Sequence, residues 1–368
     1  MMQLIFTKED LFRCIQVLQS VAAGRNTLPI LSNVLIRATN GQIEIAATDL
    51  EVSIQTVVPG TIVDEGAITV SARKLSEIVR ELPDQEIRLS TTANDRIEIT
   101  CGEGVYKIIG LPDDEFPALP SISGAFFTID GELLCSMIDK TEFSASTEET
   151  RYFLNGLYFD LTPEITQIVA TDGRRLAVAS SDALIPPPQE PIGIIVPLKA
   201  VREITKTFAE SAEVKVCLLE NQIVFADDDS TLTSRLVEGE YPKYQQIIPS
   251  DNEVHLTLNV DKMLGGLRRV ALLSNPKTYS IRLDVQDGKV RISAKAPELG
   301  EAYETVDVES GDGEIQIAFD ARFLVEAVGH IQAEDFRLEL KDSLSAAVLK
   351  PAGDDGHLCL IMPMRLDS

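Results

Sequence analysis

The stretch that decides the fold is Ile281–Ile292, IRLDVQDGKVRI, in which apolar and polar residues alternate on both sides of a polar turn. Such alternation is typical of strands with one buried face, and two such runs about a short turn predict an antiparallel hairpin. Similar stretches occur as LIRATNGQIEI (35–45), IRLSTTANDRIEI (87–99) and VKVCLLENQIVF (214–225). The chain contains six strand pairs of this kind, two in each third, which indicates a sheet-rich protein built by repetition.

Two amphipathic helices accompany the hairpins in each third, with a period of roughly 125 residues. Their apolar residues follow the i, i+4, i+7 spacing that places side chains on one helix face. The first helices use Leu11, Ile15, Leu18 and Ala22, then Leu133 and Met137, then Met263, Leu267 and Val270. The second helices use Leu75, Ile78 and Leu82, then Val201, Ile204 and Phe208, then Leu324, Ala327, Val328 and Ile331. We therefore predict six helices that each pack one face against a sheet.

The repeat also predicts where the domains end. The first two thirds close on related corners, Glu115–Pro117 and Glu240–Pro242, where proline ends a strand because it has no N–H to donate. Boundaries near 121 and 251 follow, with domains over 1–121, 122–251 and 252–368. We predict the α+β class, in which each of three repeated domains combines antiparallel sheet with two helices on one side.

Composition and cysteine usage indicate an ordinary globular chain. It has 368 residues, of which 44% are hydrophobic and 25% are charged. Its five scattered cysteines form no C-x-x-C pair, so we expect reduced packing residues. The start, MMQLIFTKED, lacks a basic region followed by a long apolar stretch, and no run of about 18 apolar residues occurs. We expect neither export nor membrane spanning, and a location in the cytoplasm.

The net charge of −25 should repel a nucleic acid from most of the surface. Basic residues nevertheless recur on predicted helices in all three thirds. The groups are Lys199, Arg202 and Lys206; Arg73 and Arg80; and Arg268 and Arg269. Two interpretations stay open at this point, namely solvated helix faces and a surface that attracts DNA weakly.

The chain offers little that points to catalysis. Its three histidines, His255, His330 and His357, are far apart in sequence, and Asp227–Asp229 follows a strand, as expected for a solvated turn. No phosphate-binding glycine motif occurs, so we predict no catalytic residue, metal or cofactor. Two segments instead indicate binding to a partner. They are ATDGRRLAVAS (170–180), with two arginines after a tight turn, and LCLIMPMRLDS (358–368), whose methionines suit a groove for differing apolar peptides.

Six segments, in this order and at this spacing, resemble the DNA polymerase III beta subunit family, the bacterial sliding clamps. The segments are LPILSNVLI (28–36), RYFLNGLYFD (151–160), TDGRRLA (171–177), EGEYPKYQQIIP (238–249), LLSNPK (272–277) and MPMRL (362–366). The resemblance covers essentially the whole chain. It implies a non-enzymatic processivity factor, a ring-shaped head-to-tail homodimer of six domains that encircles duplex DNA with helices lining the pore. In replication, such a ring tethers the replicative polymerase.

Helix dimensions agree with a dimer. Twelve helices side by side at about 8 to 10 Å leave an opening of about 20 to 28 Å, which admits a duplex. Six helices from one chain leave only about 5 to 9 Å by the same count. The enclosing ring needs no tight site, because weak attraction from helix faces lets it move along phosphates.

The resemblance also assigns three sets of residues. A pocket for short linear motifs of polymerase, clamp loader and repair proteins would use Leu154, Thr171, Gly173, Arg174, Arg175, Leu176, Pro242, Ile247, Leu360, Met362, Pro363, Met364 and Arg365. DNA would meet Arg25, Arg73, Arg80, Arg151, Tyr152, Phe153, Lys199 and Arg202. The subunit contact would pair strand 105–110 with 296–304 and use Lys74, Tyr106, Ile108, Leu272, Leu273 and Glu298. The chain departs from the usual family pattern at Glu103, Val105, Glu148, Arg174 and Gln246.

Two other functions remain alternatives. A repeat-built scaffold would use the same peptide pocket without encircling DNA, and it would not be shed from a circular DNA when the circle is cut. A metal-dependent hydrolase with Asp227–Asp229 would bind a divalent ion and lose turnover on Asp228→Ala.

Overall fold

The computed structural model describes residues 1–22, 28–119, 124, 126–182 and 184–365. Six α-helices lie in this part of the chain, two in each third as predicted. They are α1 (Lys8–Ala22), α2 (Ala72–Glu81), α3 (Gly131–Glu142), α4 (Leu198–Phe208), α5 (Val260–Ala271) and α6 (Ala321–Gly329). Short 3-10 turns occur at Pro29–Ser32, Asp113–Glu115, Glu149–Leu154 and Tyr244–Ile247.

Strands make up most of the remaining regular structure. The first thirteen are β1 (Gln3–Phe6), β2 (Asn33–Thr39), β3 (Gln42–Thr48), β4 (Val52–Val57), β5 (Thr61–Asp64), β6 (Gly66–Ser71), β7 (Ile87–Thr92), β8 (Arg96–Cys101), β9 (Gly104–Leu111), β10 (Phe126–Ile129), β11 (Gly156–Leu161), β12 (Thr166–Thr171) and β13 (Arg175–Ser181). The others are β14 (Ile192–Pro197), β15 (Val214–Leu218), β16 (Gln222–Ala226), β17 (Ser230–Arg235), β18 (Val254–Asn259), β19 (Ser280–Gln286), β20 (Lys289–Ala296), β21 (Gly300–Asp307), β22 (Ser310–Asp312), β23 (Ile315–Asp320), β24 (Asp335–Leu340), β25 (Ala347–Pro351) and β26 (His357–Ile361).

The hairpin predicted over 281–292 forms as β19 and β20, with Val285 opposite Val290 and Gln286 opposite Lys289. Its turn needs left-handed backbone at two positions, and Asp287 (φ 51°) and Gly288 (φ 71°) supply it. The Asn-Gly turn between β2 and β3 has the same conformation. The local turn sequence therefore fixes the register of both hairpins.

The described residues form two compact units. The first lies within positions 1–135, 184–186 and 199–236, and its strands form one sheet in the order β10-β15-β16-β17-β4-β3-β2-β6-β9-β8-β7-β1-β5. The second lies within 136–183, 187–198 and 237–368 and holds a sheet in the order β14-β11-β12-β13-β26-β25-β24-β18-β22 and a sheet in the order β21-β20-β19-β23. The middle third thus contributes strands to both units.

Two strand pairings join successive thirds without a break in the ladder. In the first unit β17 pairs with β4, and in the second β13 pairs with β26. The predicted boundary at 121 lies outside the described residues, and the one at 251 lies in the coil before β18. The three-domain boundaries therefore stay a prediction.

The helices bury the predicted faces, with a one-residue shift in two of them. In α1 the side chains of Leu11, Ile15 and Leu18 have no solvent exposure. In α2 the predicted Leu75 is fully buried and so is Val79, whereas the predicted Ile78 is half-buried. In α3 Leu134 is buried and the predicted Leu133 is half-buried.

One core of the second unit shows how hairpin and helices combine. It joins Ile281, Leu283 and Ile292 of the β19–β20 hairpin to Leu267 of α5 and Leu324 of α6. Side-chain caps fix where both helices begin. Asn259 accepts the Lys262 N–H at 3.1 Å and Asp320 accepts the Arg322 N–H at 3.0 Å. The periodicity that predicted these elements is thus the periodicity of the core.

Candidate functional site

A tight turn over Thr171–Arg175 lies at the centre of the predicted pocket. The Thr171 hydroxyl accepts the Gly173 N–H at 3.0 Å and donates to the Arg175 carbonyl at 2.5 Å. Asp172 Oδ1 accepts the N–H groups of Arg174 (2.8 Å) and Arg175 (3.1 Å). Gly173 has φ 85°, a conformation that glycine adopts without steric cost. The sequence TDGRR therefore builds a turn that leaves Arg174 exposed.

The C-terminal segment is attached to this turn by backbone hydrogen bonds. Strand β26 pairs with β13, so that Leu176 faces Leu360 and Arg175 faces Ile361. Beyond the strand, the Met362 N–H donates to the Arg174 carbonyl at 2.8 Å. The Met364 N–H donates to the carbonyl of Ala318 at 2.7 Å. The tail is thus held in extended form as far as Met364.

The apolar residues predicted for the pocket fall into two groups. Leu154, Leu176 and Leu360 are at most 3% exposed and belong to one buried cluster. Ile247 and Met362 are 52% and 44% exposed. The first group forms the packed floor, and the second presents the apolar surface that a ligand can reach.

The remaining members of the pocket set lie mostly at the surface. Pro242, Gly173, Arg174 and Arg365 are exposed, and Pro363 and Met364 are half-buried. Thr171 is buried because its hydroxyl serves the turn. Hydrogen bonds join the turn to the C-terminal tail, and a common buried cluster joins the residues beside the turn to β26. The second unit thus brings these three parts of the predicted pocket together.

Three tyrosines stiffen the floor beside the predicted proline corner. Tyr158 and Tyr241 stack with ring centroids 4.7 Å apart. The Tyr244 hydroxyl lies 2.8 Å from Asp160 Oδ2 and 2.7 Å from Gln167 Oε1. Burial, reinforced by the Asp160 carboxylate, raises the pKa of Tyr244 well above its usual range. The hydroxyl therefore stays protonated as a hydrogen-bond donor.

Sequence reasoning missed several residues of this region. Leu344 is 72% exposed, two positions before Ala346 of the buried floor cluster. Phe143, Phe323 and Glu326 contact the Arg175 guanidinium. None of these belongs to a motif. A leucine in the polar loop KDSLS was the one available signal.

The residues predicted to meet DNA are spread over both units, and several are engaged by acids. Arg73 bonds Glu77 at 2.8 Å, Arg80 bonds Glu81 at 3.2 Å, and Arg151 bonds Glu148 at 2.8 Å. Because the arginines of the first two pairs are 77% and 62% exposed, these pairs are weak and open to exchange with other anions.

The other predicted DNA contacts differ in accessibility. Lys199 forms an ion pair with the buried Asp49 of the same unit. Its charge is therefore already neutralised within the protein and is less available to a phosphate. Arg202 and Tyr152 are exposed, and Phe153 is half-buried against the Tyr152 ring edge. Arg25 lies outside the described residues.

Two sheet edges carry exposed apolar residues. Strand β9 pairs with β8 over 104–109 and meets β6 only at Gly110 and Leu111, so one side of 104–109 has no ladder partner among the described residues. Within 104–109, Val105, Tyr106 and Ile109 are 56%, 41% and 72% exposed. Ile108, which was predicted for the contact, is half-buried.

The second such edge is β21, which pairs only with β20 within the described ranges. Leu299 and Tyr303 are 52% and 66% exposed there. Leu272, just after α5, is 77% exposed, whereas Leu273 is half-buried. Lys74 and Glu298, the predicted charged pair, are both exposed.

The features considered for other chemistry have structural roles. Asp227 Oδ1 accepts the N–H groups of Asp229 (3.0 Å) and Ser230 (2.7 Å), as in an ordinary turn. Among the described residues, no group of three or more His, Cys, Asp or Glu is placed to hold a metal ion. The five cysteines are free, and burial raises the pKa of Cys14 to about 12. No described helix is long and apolar enough to cross a membrane.

The three repeats and the ladders between them define a clamp-type α+β fold, as predicted. Family models of the DNA polymerase III beta subunit match the chain in three parts, the N-terminal domain at 2–120, the central domain at 128–243 and the C-terminal domain at 245–365. The chain belongs to this family.

Relatives and solved structures agree. The beta sliding clamps of Pseudomonas aeruginosa and Caulobacter vibrioides are each 34% identical, with 99% of this chain and 100% of each relative covered. The P. aeruginosa clamp bound to griselimycin has a TM-score of 0.93 at 33% identity, covering 99% of this chain and 100% of that one. The Bacillus subtilis clamp has a TM-score of 0.93 at 26% identity, covering 100% of both chains. The predicted function, a sliding clamp of DNA replication with an accessory and non-catalytic role, is confirmed at the level of the family.

Proposed function

We propose that two copies of this chain join head to tail into a ring that encloses duplex DNA and tethers the replicative polymerase. The observation that carries the proposal is the pair of unlike open edges, β9 and β21, each with exposed apolar side chains. An open edge with apolar residues is a liability for aggregation unless another chain covers it. Two unlike surfaces that meet by a half-turn rotation close after two copies.

The register of the first edge supports the predicted contact. Tyr106 and Ile108 lie opposite Ile99 and Ile97, so both point to the core face of their sheet. On the other edge, Glu304 lies opposite the buried Ile292 and bonds Arg269 of α5 at 2.5 Å. Strand β9 of one copy can therefore pair with β21 of the other so that the core faces of the two sheets lie on the same side. In this arrangement Tyr106 and Ile108 lie near Leu272 and Leu273.

The charge distribution suits enclosure better than tight binding. Many basic helix side chains already pair with acids on their own helices, as Arg73 and Lys74 do with Glu77. The Lys74 and Arg73 hydrogen bonds lower the pKa of Glu77 to about 2, so this acid stays charged near neutral pH. Such faces attract phosphates weakly, and a closed ring needs no more because it is held by topology.

The pocket on the second unit is the proposed tether. Its exposed Ile247 and Met362 supply apolar anchors above a rigid floor, which suits a short linear motif with apolar side chains. Polymerase catalytic subunit, clamp loader and repair proteins would bind there in turn. A weak motif suffices, because ring and enzyme remain on the same DNA and their effective concentration stays high. We place the domains at 1–121, 122–251 and 252–368, and the protein in the bacterial cytoplasm.

Retention on circular DNA tests the proposal. The chain is loaded onto a nicked plasmid by the clamp loader of the same organism, and the complex is isolated before and after a restriction enzyme cuts the circle. We expect retention on the circle and loss from linear DNA, with a solution mass of two chains. Equal retention on both forms would favour the peptide-binding scaffold instead.

A matched pair of variants ties retention to the edge. Tyr106→Lys places a charge on the exposed tyrosine of β9 that points to the face of the proposed contact, whereas Ile165→Lys places one on an exposed isoleucine between β11 and β12. We expect monomers and no retention for the first and a normal dimer for the second. A normal dimer for both would contradict the β9 edge contact.

A further inference from the structure

The Arg175 side chain is enclosed by the second unit rather than presented to solvent. It is only 11% exposed, and its Nε donates to Asp172 Oδ2 at 3.1 Å. Its Nη1 donates to Glu326 of α6. The guanidinium carbon lies 4.6 Å from the centre of the Phe323 ring and 5.5 Å from that of Phe143. Two carboxylates and two aromatic rings thus fix this cation from several sides.

The same arginine is linked to the exposed anchor of the pocket through short bonded steps. Asp172 holds the Arg175 guanidinium with one oxygen and the backbone of the turn with the other. The turn in turn presents the Arg174 carbonyl that accepts the Met362 N–H at 2.8 Å. A shift of the guanidinium would therefore move Asp172, the turn and Met362 together.

Helix α6 provides the fixed point of this chain of contacts. Its start is capped by Asp320, and Leu324 and Val328 bury its inner face in the main core of the unit. Glu326 and Phe323 project from this anchored helix to Arg175, which lies 151 positions earlier than Glu326 in sequence. A rigid helix thereby sets the position of a turn that belongs to another third of the chain.

We propose that Glu326, together with Phe323, is a positioning residue for ligand binding at the pocket, acting through Arg175 on the turn and on Met362. The inference rests on the proposed function, because it concerns the same pocket. It assigns Arg175 to the wall of the pocket and leaves the exposed Arg174 as the arginine that meets the ligand.

A double-mutant cycle tests the inference, with griselimycin as the probe and titration calorimetry on the full-length protein as the assay. Glu326→Ala should weaken binding about fivefold, and Glu326→Gln, which keeps an acceptor oxygen, should weaken it less. In an Arg175→Ala background, Glu326→Ala should add no further loss, because its effect passes through the arginine. Glu309→Ala is the matched control, since Glu309 pairs with Lys262 in the same unit at 2.9 Å. It should bind like the parent.

Several outcomes would overturn the inference. An unchanged ligand affinity of Glu326→Ala would overturn it. Binding losses that add in the Arg175→Ala, Glu326→Ala double variant would also overturn it, because both results exclude action through Arg175. Thermal unfolding of every variant distinguishes the proposed positioning effect from a general loss of stability. A general loss of stability would lower the unfolding midpoint, and the binding losses of the two substitutions would then add. If Arg175→Ala does not fold, Arg175→Lys takes its place in the cycle. Failure of the parent protein to bind, or binding that survives Met362→Asp, would overturn the proposed pocket and this inference with it.

Discussion

Acidification should destabilise the second unit through a single buried imidazole, His357 in β26. This side chain has no solvent exposure. Its Nε2 lies 3.1 Å from the Lys140 carbonyl and 3.4 Å from the Cys359 sulfur, whereas Nδ1 is buried and has no hydrogen-bond partner within the described part of the chain. The neutral ring with its proton on Nε2 satisfies this site. A second proton would place a charge and an unpaired donor in the core.

Burial accordingly lowers the pKa of His357 from 6.5 to about 4. Above pH 6.5 the ring is neutral in the folded and the unfolded chain, so the stability is unaffected. As the pH falls from 6.5 to about 4, the unfolded chain binds a proton that the folded chain refuses, and stability is lost progressively. The difference of about 2.5 pH units corresponds to a loss of about 3 kcal/mol over this window.

Two measurements check the prediction. The imidazole signals of the three histidines are followed by NMR against pH, and the His357 signal is the one absent from His357→Gln. We expect this signal to keep its neutral position down to pH values well below 6.5. Urea unfolding of both proteins across the same window should show a steeper loss of stability for the parent. A His357 ring that titrates near 6.5 in the folded protein, or equal pH dependence for both proteins, would refute the reasoning.

Three further substitutions test other contacts. Changing Leu272 and Leu273 together to alanine should raise the dimer dissociation constant at least about tenfold by removing apolar anchors, as measured by sedimentation; a dimer of unchanged affinity would count against the interface. Met362→Asp should weaken binding of a short peptide with apolar side chains at least about tenfold because a charge enters the proposed apolar contact, and unchanged calorimetry would contradict the pocket. Tyr244→Phe removes the hydroxyl donor that Gln167 Oε1 and Asp160 Oδ2 share, with only Asp160 keeping the Gln245 amide at 3.3 Å, and should cost about 1 to 2 kcal/mol in urea unfolding; a stability equal to the parent would show that Gln167 Oε1 is satisfied otherwise.

The sequence alone was sufficient for the elements and their repetition. Alternation with period two located the β19–β20 hairpin, and Asp287 and Gly288 gave the turn that fixes its register. The i, i+4, i+7 spacing located all six helices, with errors of one residue in the buried face of α2 and α3. These features depend on neighbours within a few positions, so the residues themselves reveal them.

The pocket was predictable only in part. Its turn, proline corner and tail carry recognisable motifs, because their backbone conformations demand particular residues such as Gly173. Which of the pocket leucines form a buried floor, and which apolar residues stay exposed, depended on the pairing of β13 with β26. The sequence did not identify Leu344 as a surface residue near the pocket, and only the folded structure shows its exposure.

The sequence by itself determined the number of repeats, the class of fold and the family, since each rests on local periodicity and on ordered motifs. Tertiary structure alone decided that Arg175 is enclosed by Glu326 and two rings and that Lys199 is engaged by Asp49. It also decided that one side of β9 has no ladder partner among the described strands. Contacts between residues more than 100 positions apart, and the absence of a neighbouring strand, leave no mark in the spacing of nearby residues. They follow from the packing of whole sheets and helices, which only the folded chain brings about.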